Sequence, residues 1–239
     1  MKRMLEIKGL TKKYKNADKN AIEDINLTIE NGDIYGFIGP NGAGKSTTIK
    51  CLVGIHSFEK GSIMLDGLSI KDNPIEFKHQ ISYVPDNPDL YEFLTGMEYI
   101  NFVSNVYDED VSKEDIINLA KKFNLENNLL EPIRTYSHGM KQKIALIGAL
   151  IHKPKLIVLD EPFVGLDPKA AFDLKEIIKE LCQNGMMVFF SSHVLEVVEK
   201  FCNKIAIIKN GQIVSSGLTD DVKGDSSLEE AFLELYDKE

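Results

Sequence analysis

The sequence predicts an α/β fold with a mostly parallel sheet, an N-terminal antiparallel β subdomain and an α-helical insert. Three observations support this prediction. In the first third of the chain, short strands alternate with turns such as Asn31–Gly32 and Asp66–Gly67. From about residue 94 to 150 the spacing of the apolar residues becomes helical. After Pro154 short apolar strands and helices alternate, which is typical of a parallel sheet covered on both faces.

The N-terminal third is predicted to consist of strands. Apolar residues alternate with polar ones at Ile25, Leu27 and Ile29, which is the period of a half-buried strand. The apolar run IYGFIG predicts a short buried strand that leads into a glycine-rich loop and a helix. Further on, GSIMLDGLSI predicts a β-hairpin and ISYVPD predicts another short strand.

The predicted insert, about residues 94–150, contains amphipathic helices. Thr95 is suited to cap the first of them. Ser112 and Asp115 have the spacing of a capping box at the start of the second. The apolar stripe of that second helix consists of Ile116, Leu119, Ala120 and Phe123.

The last third returns to strand–helix alternation. Asp167 is a good N-cap because Pro168 follows it at the first helical position, and Gly185 is a good stop for the same helix. A helical tail is expected over about residues 218–239. The chain has no internal repeat and no low-complexity linker, so we expect one domain over residues 1–239.

Composition and charge narrow the classes of function. The 239 residues are 43% hydrophobic and 27% charged, which is an ordinary globular balance. A net charge of −9 argues against the broad basic surface that nucleic-acid binding requires, so we expect no nucleic acid partner. The N-terminus lacks the apolar run of a signal peptide, and no window approaches the length of a membrane span. Three cysteines without metal-like spacing fit a reducing cytosol, so we expect a cytoplasmic protein.

The stretch GPNGAGKST, residues 39–47, fits the pattern G-x-x-x-x-G-K-[ST] completely. It follows a predicted strand and opens a predicted helix, which is the context that a P-loop NTPase core requires. Glycines allow the backbone N–H groups to converge on phosphate oxygens, Lys45 supplies a charge for the β- and γ-phosphates, and Ser46 offers a hydroxyl to Mg²⁺. The predicted nucleotide-binding residues of the loop are Gly39, Asn41, Gly42, Gly44, Lys45, Ser46 and Thr47.

The stretch KLIVLDEP carries a second part of such a site. An apolar strand ends in Asp160 and Glu161, so both carboxylates emerge at the edge of the sheet where α/β proteins bind ligands. Asp160 is placed to hold Mg²⁺ through water, and Glu161 to polarise a water molecule against the γ-phosphate. An acidic turn after a core strand is common by itself. Together with the phosphate loop, the pair predicts ATP hydrolysis.

The ordered set GPNGAGKST, YSHGMKQK, LIVLDEP, GLDP and SSH resembles the nucleotide-binding subunit of an ABC transporter over essentially the whole chain. This resemblance implies that ATP is enclosed between two subunits. Ser137 and Gly139, at the start of a helix, would then bind the triphosphate held by the phosphate loop of the opposing subunit. Ser137 also suits a simple helix cap.

The resemblance implies roles for three further residues. His193, after the strand that ends in SSH, would contact the γ-phosphate and help to orient the attacking water. Asp167, in GLDP, would communicate across the dimer. Tyr14 would stack on adenine. Each has a simpler interpretation, namely a structural cap for His193, a helix cap for Asp167 and an exposed turn residue for Tyr14.

Two departures from the family pattern concern the site. The position after ISYVP normally holds glutamine, whereas here it holds Asp86, which we expect to approach Mg²⁺ through water while adding negative charge near the γ-phosphate. The helix start is YSHGM where the family has LSGGQ, so His138 and Met140 are substitutions. An imidazole at position 138 suggests pH-sensitive turnover.

The resemblance also implies partners: a second ABC subunit, as a homodimer or a heterodimer with a paralogue, and an integral membrane permease that holds the ATPase at the inner face of the membrane. The segment 87–100 is the candidate docking surface, with Tyr91, Phe93 and Tyr99, and Phe102 follows it. The pattern is most similar to the exporter branch with a separate permease chain. The alternatives are a soluble ABC-type ATPase and a P-loop kinase or GTPase, although the chain has no N-K-x-D guanine motif.

Overall fold

Two β-sheets of different character form the frame of the computed structural model, which describes residues 4–15 and 17–237. The strands are β1 (Met4–Lys12), β2 (Ile22–Glu30), β3 (Ile34–Ile38), β4 (Lys60–Leu65), β5 (Leu68–Ser69), β6 (Ile81–Val84), β7 (Leu156–Asp160), β8 (Met187–Ser192), β9 (Lys204–Lys209) and β10 (Gln212–Leu218). The helices are α1 (Lys45–Leu52), α2 (Pro74–His79), α3 (Gly96–Val106), α4 (Lys113–Lys122), α5 (His138–Leu150), α6 (Pro168–Gln183), α7 (Leu195–Phe201), α8 (Thr219–Lys223) and α9 (Leu228–Asp237).

The smaller sheet has the order β2-β1-β4-β5 and is antiparallel throughout. The predicted hairpin between β4 and β5 is confirmed, and its turn residues Asp66 and Gly67 have φ values of 52° and 82°. Positive φ at both central positions is the geometry that favours Asp-Gly in two-residue hairpins. The predicted antiparallel N-terminal part of the fold is therefore present.

The larger sheet has the order β10-β9-β3-β8-β7-β6. All neighbours pair in parallel except β10, which runs antiparallel to β9 at one edge. All six residues of β8 are buried. Met187 and Phe189 pack in one apolar cluster with the smaller sheet and α1, whereas Val188 and Phe190 pack in a second cluster with helices such as α5 and α6. The predicted mostly parallel sheet is confirmed.

The two sheets meet at the Asn31–Gly32 turn, which carries the chain from β2 into β3. Asp33, just after this turn, is buried and accepts hydrogen bonds from Lys204 (2.9 Å) and Asn203 (2.8 Å) at the start of β9. Lys204 also donates to Glu30, at the end of β2, at 2.9 Å. One polar cluster therefore joins both sheets.

Helices α3, α4 and α5 lie within the range predicted for the insert. Thr95 caps α3 in a complete capping box with Glu98, and Ser112 caps α4 by accepting from the Asp115 amide at 3.1 Å. Of the predicted apolar stripe of α4, Ile116, Ala120 and Phe123 are buried and Leu119 is half-buried. The predicted caps are confirmed.

A buried polar cluster joins α3 and α5 to the larger sheet. The Ser82 hydroxyl, in β6, donates to the Ala149 carbonyl of α5. His152 Nε2 lies 3.3 Å from both the Ser82 hydroxyl and the Ile81 carbonyl, and its ring stacks on Tyr107 at a centroid distance of 3.7 Å. Its Nδ1 is buried without a hydrogen-bond partner. Burial lowers the pKa of His152, which favours the neutral form of the ring.

The last two helices of the described residues, α8 and α9, pack near the larger sheet. Leu228, at the start of α9, is fully buried, and the Tyr236 hydroxyl donates to the Ile208 carbonyl at 2.5 Å. Residues 238 and 239 of the predicted tail lie outside the described residues. Among the residues that the structure describes, no helix combines the length and apolar character needed to cross a membrane.

Candidate nucleotide-binding site

The glycine-rich loop between β3 and α1 requires glycine for steric reasons. A Cβ on Gly39 would lie 2.5 Å from the Ile208 carbonyl oxygen, and one on Gly44 would lie 2.7 Å from Ile22 Cγ2. Gly42 and Gly44 also have φ values of 81° and 114°, which side-chain-bearing residues rarely adopt. The loop before α1 therefore requires glycine at these positions, as is expected of a loop that binds phosphate at the start of a helix.

Lys45, the first residue of α1, is buried beneath this loop. Its Nζ donates to the Gly39 carbonyl at 2.6 Å and to the Pro40 carbonyl at 3.2 Å. Burial lowers the pKa of Lys45, while the charges of Glu161 and Asp160 act in the opposite direction. The lysine thus lies close enough to Asp160, the last residue of β7, and to Glu161, which follows it, for both charges to act on it.

Asp160 and Glu161 lie at the edge of the sheet, beside the end of β8. Ser191, which pairs with Asp160 in register, donates its hydroxyl to Asp160 Oδ1 at 2.5 Å. Glu161 Oε1 lies 2.9 Å from His193 Nδ1, whereas its Oε2 is buried without a hydrogen-bond partner. Glu161 has a φ of 50°, in the left-handed region. Glu161 and His193, the two residues predicted to be catalytic, are therefore in direct contact.

Ser191 was missed by the sequence analysis. Its contact depends on the register between β7 and β8, and alternation within either strand does not define that register. The available signal was the hydroxyl at the end of a buried strand, next to the predicted catalytic histidine. A hydroxyl that donates to Asp160 fixes the orientation of that carboxylate.

The predicted magnesium ligands fit the ion chemically. Ser46, in the first turn of α1, offers a hydroxyl and Asp160 offers a carboxylate, which are the oxygen ligands that Mg²⁺ prefers. In the described part of the chain no cluster of three His, Cys, Asp or Glu side chains is suited to hold a metal alone. Mg²⁺ usually completes its shell with water and substrate phosphates, so a sparse protein set is the expected arrangement.

Asp86 lies beyond the end of β6, on the same side as Asp160. Burial raises the pKa of Tyr83 to about 12, and the charges of Asp160 and Asp86 both contribute. Within the described residues no hydrogen bond links Asp86 to the rest of the site. Its role at the metal stays a prediction.

Tyr14 lies beside the phosphate loop. Its hydroxyl is 3.2 Å from Thr47 Oγ1, and 41% of its surface is exposed. A ring next to Thr47 is suitably placed to contact a base attached to bound phosphates, and its stacking role stays a prediction.

Ser137 and Gly139 do not join the phosphate loop of their own chain through any hydrogen bond among the described residues. The Ser137 hydroxyl accepts from the Met140 amide at 3.3 Å, so it caps α5.

The start of α5 packs on the segment 162–167 of its own chain. Gln142 donates to the Pro162 carbonyl at 3.2 Å, and a Cβ on Gly165 would lie 3.0 Å from His138 Nε2. Asp167 caps α6, accepting from the Ala170 amide at 2.9 Å.

Comparisons with known proteins agree with this geometry. The family model of the ABC transporter matches residues 22–164. An ABC-type transporter ATP-binding protein of Bacillus subtilis, EcsA, is 34% identical over 97% of this chain and 96% of its own length. The lantibiotic transport ATP-binding protein SrtF of Streptococcus pyogenes is 36% identical over 96% of both chains.

A solved structure is similar over nearly the whole chain. An ATP-binding subunit of an ABC transporter superposes with a TM-score of 0.90 and 34% identity, covering 98% of this chain and 99% of the other. The family match, the full-length relatives and the P-loop geometry agree. This chain therefore belongs to the ABC transporter family, among the ATP-binding subunits, which are ATPases.

Proposed function

We propose that this chain hydrolyses ATP at an interface between two ATPase subunits, and that this reaction powers export through a separate membrane permease. The observation that carries the proposal is the contact between Glu161 and His193 at the C-terminal edge of the sheet, at 2.9 Å. The charge of Glu161 also acts on Lys45 of the loop that would hold the triphosphate, which supports Glu161 as the base.

The backbone amides of residues 39–47 and the Lys45 ammonium bind the β- and γ-phosphates. His193 holds Oε1 of Glu161, so Oε2, which has no hydrogen-bond partner among the described residues, is the oxygen that would accept a proton from the attacking water. Ser46 and Asp160 would hold Mg²⁺, with the Ser191 hydroxyl orienting Asp160. Bound Mg²⁺ supplies charge compensation to the phosphates.

The second half of the site is proposed to come from another subunit. Ser137 and the free amides at the start of α5 offer hydrogen-bond donors and a partial positive charge for a γ-phosphate. Ser137 is exposed, and its own phosphate loop does not use it. A homodimer and a heterodimer with a paralogue are equally compatible with this arrangement.

The permease is proposed to dock beside α3. Tyr91, Phe93 and Phe102 are exposed. The Tyr91 ring contacts the other two edge to face, with centroid distances of 6.0 Å to Phe93 and 5.3 Å to Phe102. A groove of about 330 Å³ lies nearby and is lined in part by Leu90 and Tyr99. Tyr99 is half-buried and packs against Gly148, so it belongs to the floor of the groove.

The relatives and this surface support the proposed export and the proposed location at the membrane. SrtF is named as a lantibiotic transport protein, which supports an exporter. Docking on a permease would keep the chain on the cytoplasmic face of the membrane. The alternative is an ABC-type ATPase without a transport partner, and co-purification with a polytopic membrane protein separates the two.

The proposal is tested with the purified chain and Mg-ATP. We expect the chain to release phosphate from ATP, and we expect GTP to compete only weakly with ATP for the site. The Lys45→Ala variant should lose nucleotide binding. Lys179→Ala is a matched control, because Lys179 forms an exposed pair with Glu176 on α6. Sedimentation of the Glu161→Gln variant should show a dimer only with ATP. Turnover without any ATP-dependent dimer would contradict the shared site.

A further inference from the structure

The ring of Tyr14 is held from three directions. Its hydroxyl lies 3.2 Å from Thr47 Oγ1. The His56 ring meets it at 90°, with the centroids 5.7 Å apart. The Lys12 ammonium lies 5.8 Å from the ring centroid. A partly exposed tyrosine held by three neighbours has a defined plane rather than a freely rotating ring.

Lys12 is itself anchored. Its Nζ lies 3.0 Å from Glu59 Oε1, and Glu59 Oε2 accepts from the Lys13 amide at 2.9 Å. The hydrogen bond from Lys13 lowers the pKa of Glu59, and Lys12 adds to this effect. The charged carboxylate therefore ties the end of β1, and with it Tyr14, to the loop before β4.

His56 is held by the same helix that carries the phosphate-binding residues. The amides of Ile55 and His56 donate to the Lys50 carbonyl in α1, at 2.8 Å and 2.9 Å. Thr47 lies one turn earlier in that helix. The Tyr14 hydroxyl therefore contacts α1 directly through Thr47, and the Tyr14 ring contacts it indirectly through His56. The orientation of the ring thus depends on the helix that follows the phosphate loop.

We propose that His56 is a positioning residue for the nucleotide base: it fixes the plane of Tyr14 so that the exposed part of the ring can stack on a purine. This inference rests on the proposed function, ATP binding at this site, and on the expectation that Tyr14 stacks on adenine. Because an aromatic pair of this geometry would hold Tyr14 in the orientation that stacks, its loss should lower the affinity for ATP by about 2- to 12-fold. Binding of phosphate alone should not depend on His56.

The experiment compares binding of Mg-ATP and Mg-tripolyphosphate by calorimetry. His56→Ala should weaken Mg-ATP binding by about 2- to 12-fold and raise KM for ATP, with kcat and tripolyphosphate binding unchanged. His56→Phe keeps a ring at the same place and should restore most of the affinity. His79→Ala is the matched control, because His79 makes the same edge contact with Tyr107, at 5.5 Å, away from the loop.

Three outcomes would overturn the inference: unchanged ATP affinity in His56→Ala, an equal loss for ATP and tripolyphosphate, or failure of His56→Phe to restore binding. A thermal unfolding curve of each variant checks that the chain is folded. Failure of the proposed function can be told apart from failure of this inference. In that case the chain without substitutions would bind neither Mg-ATP nor Mg-tripolyphosphate, or it would release no phosphate from ATP.

Discussion

The imidazole of His193 lies 2.9 Å from Glu161 Oε1, although the two residues follow different strands of the sheet. Because β7 and β8 pair in parallel, their carboxyl ends meet at the same edge. The pairing occupies one carboxylate oxygen and leaves the other buried without a partner. A carboxylate with one fixed and one free oxygen is the arrangement expected of an oriented general base.

The first prediction concerns the Glu161→Gln variant. The amide keeps the shape of the side chain but cannot accept a proton from water, so phosphate release should fall by about 100- to 10,000-fold. ATP affinity should be retained, because Lys45 and the loop remain intact. Glu196→Gln removes an exposed carboxylate paired with Lys200 and should leave the rate unchanged. A Glu161→Gln variant that turns over at the original rate would exclude Glu161 as the base.

The second prediction concerns the coupling between Glu161 and His193. If His193 acts by orienting Glu161, the effects of His193→Ala and Glu161→Gln on kcat should not add. The double variant should be about as slow as Glu161→Gln alone. Single-turnover phosphate release measures all four proteins of this cycle. Strictly multiplicative losses would show that the two side chains act independently.

The third prediction concerns the contact between α5 and the loop before α6. Gly165 has a φ of 74°, and a methyl group there would meet His138 Nε2 at 3.0 Å. Gly165→Ala should therefore lower the free energy of unfolding more in the original chain than in a His138→Gly background, with a coupling of about 0.5 kcal/mol or more. Urea unfolding measures this difference.

A control for that cycle separates backbone strain from the contact with His138. Gly67 has a comparable φ of 82°, but a Cβ there meets nothing within 4 Å. Gly67→Ala should therefore cost the same in both backgrounds. If Gly165→Ala behaves in the same way, His138 does not pack on this loop.

The fourth prediction concerns pH and His152. Burial lowers the pKa of this residue in the folded chain, so below about pH 6.5 the unfolded chain binds more protons than the folded one. The free energy of unfolding should be highest above that pH and should fall as the solution becomes more acidic. His152→Gln removes this contribution and should give a flatter dependence between about pH 7 and pH 5. Equal slopes for both proteins would contradict the assignment.

Features of the fold that depend only on neighbouring residues in the sequence could be predicted from the sequence. Asp167 before Pro168 predicted the start of α6, and Thr95 predicted that of α3, because a cap depends on residues within one helical turn. The glycine-rich loop was equally predictable, since its pattern includes the strand before it and the helix after it.

Contacts between distant segments were not predictable in the same way. The bond from Ser191 to Asp160 joins residues 31 positions apart and depends on strand register. The packing of His138 on Gly165 depends on how α5 lies against a loop that follows another strand. The family resemblance named most of the candidate residues, but it did not predict which of them touch within one chain.

The backbone conformation of Glu161 is unfavourable for stability. Its φ of 50° lies where an L-residue with a Cβ costs roughly 1–2 kcal/mol, a conformation better suited to glycine or asparagine. Stability and turnover therefore compete at this position. Screening a library for heat resistance alone is expected to enrich replacements of Glu161, and such thermostable variants would be poor ATPases.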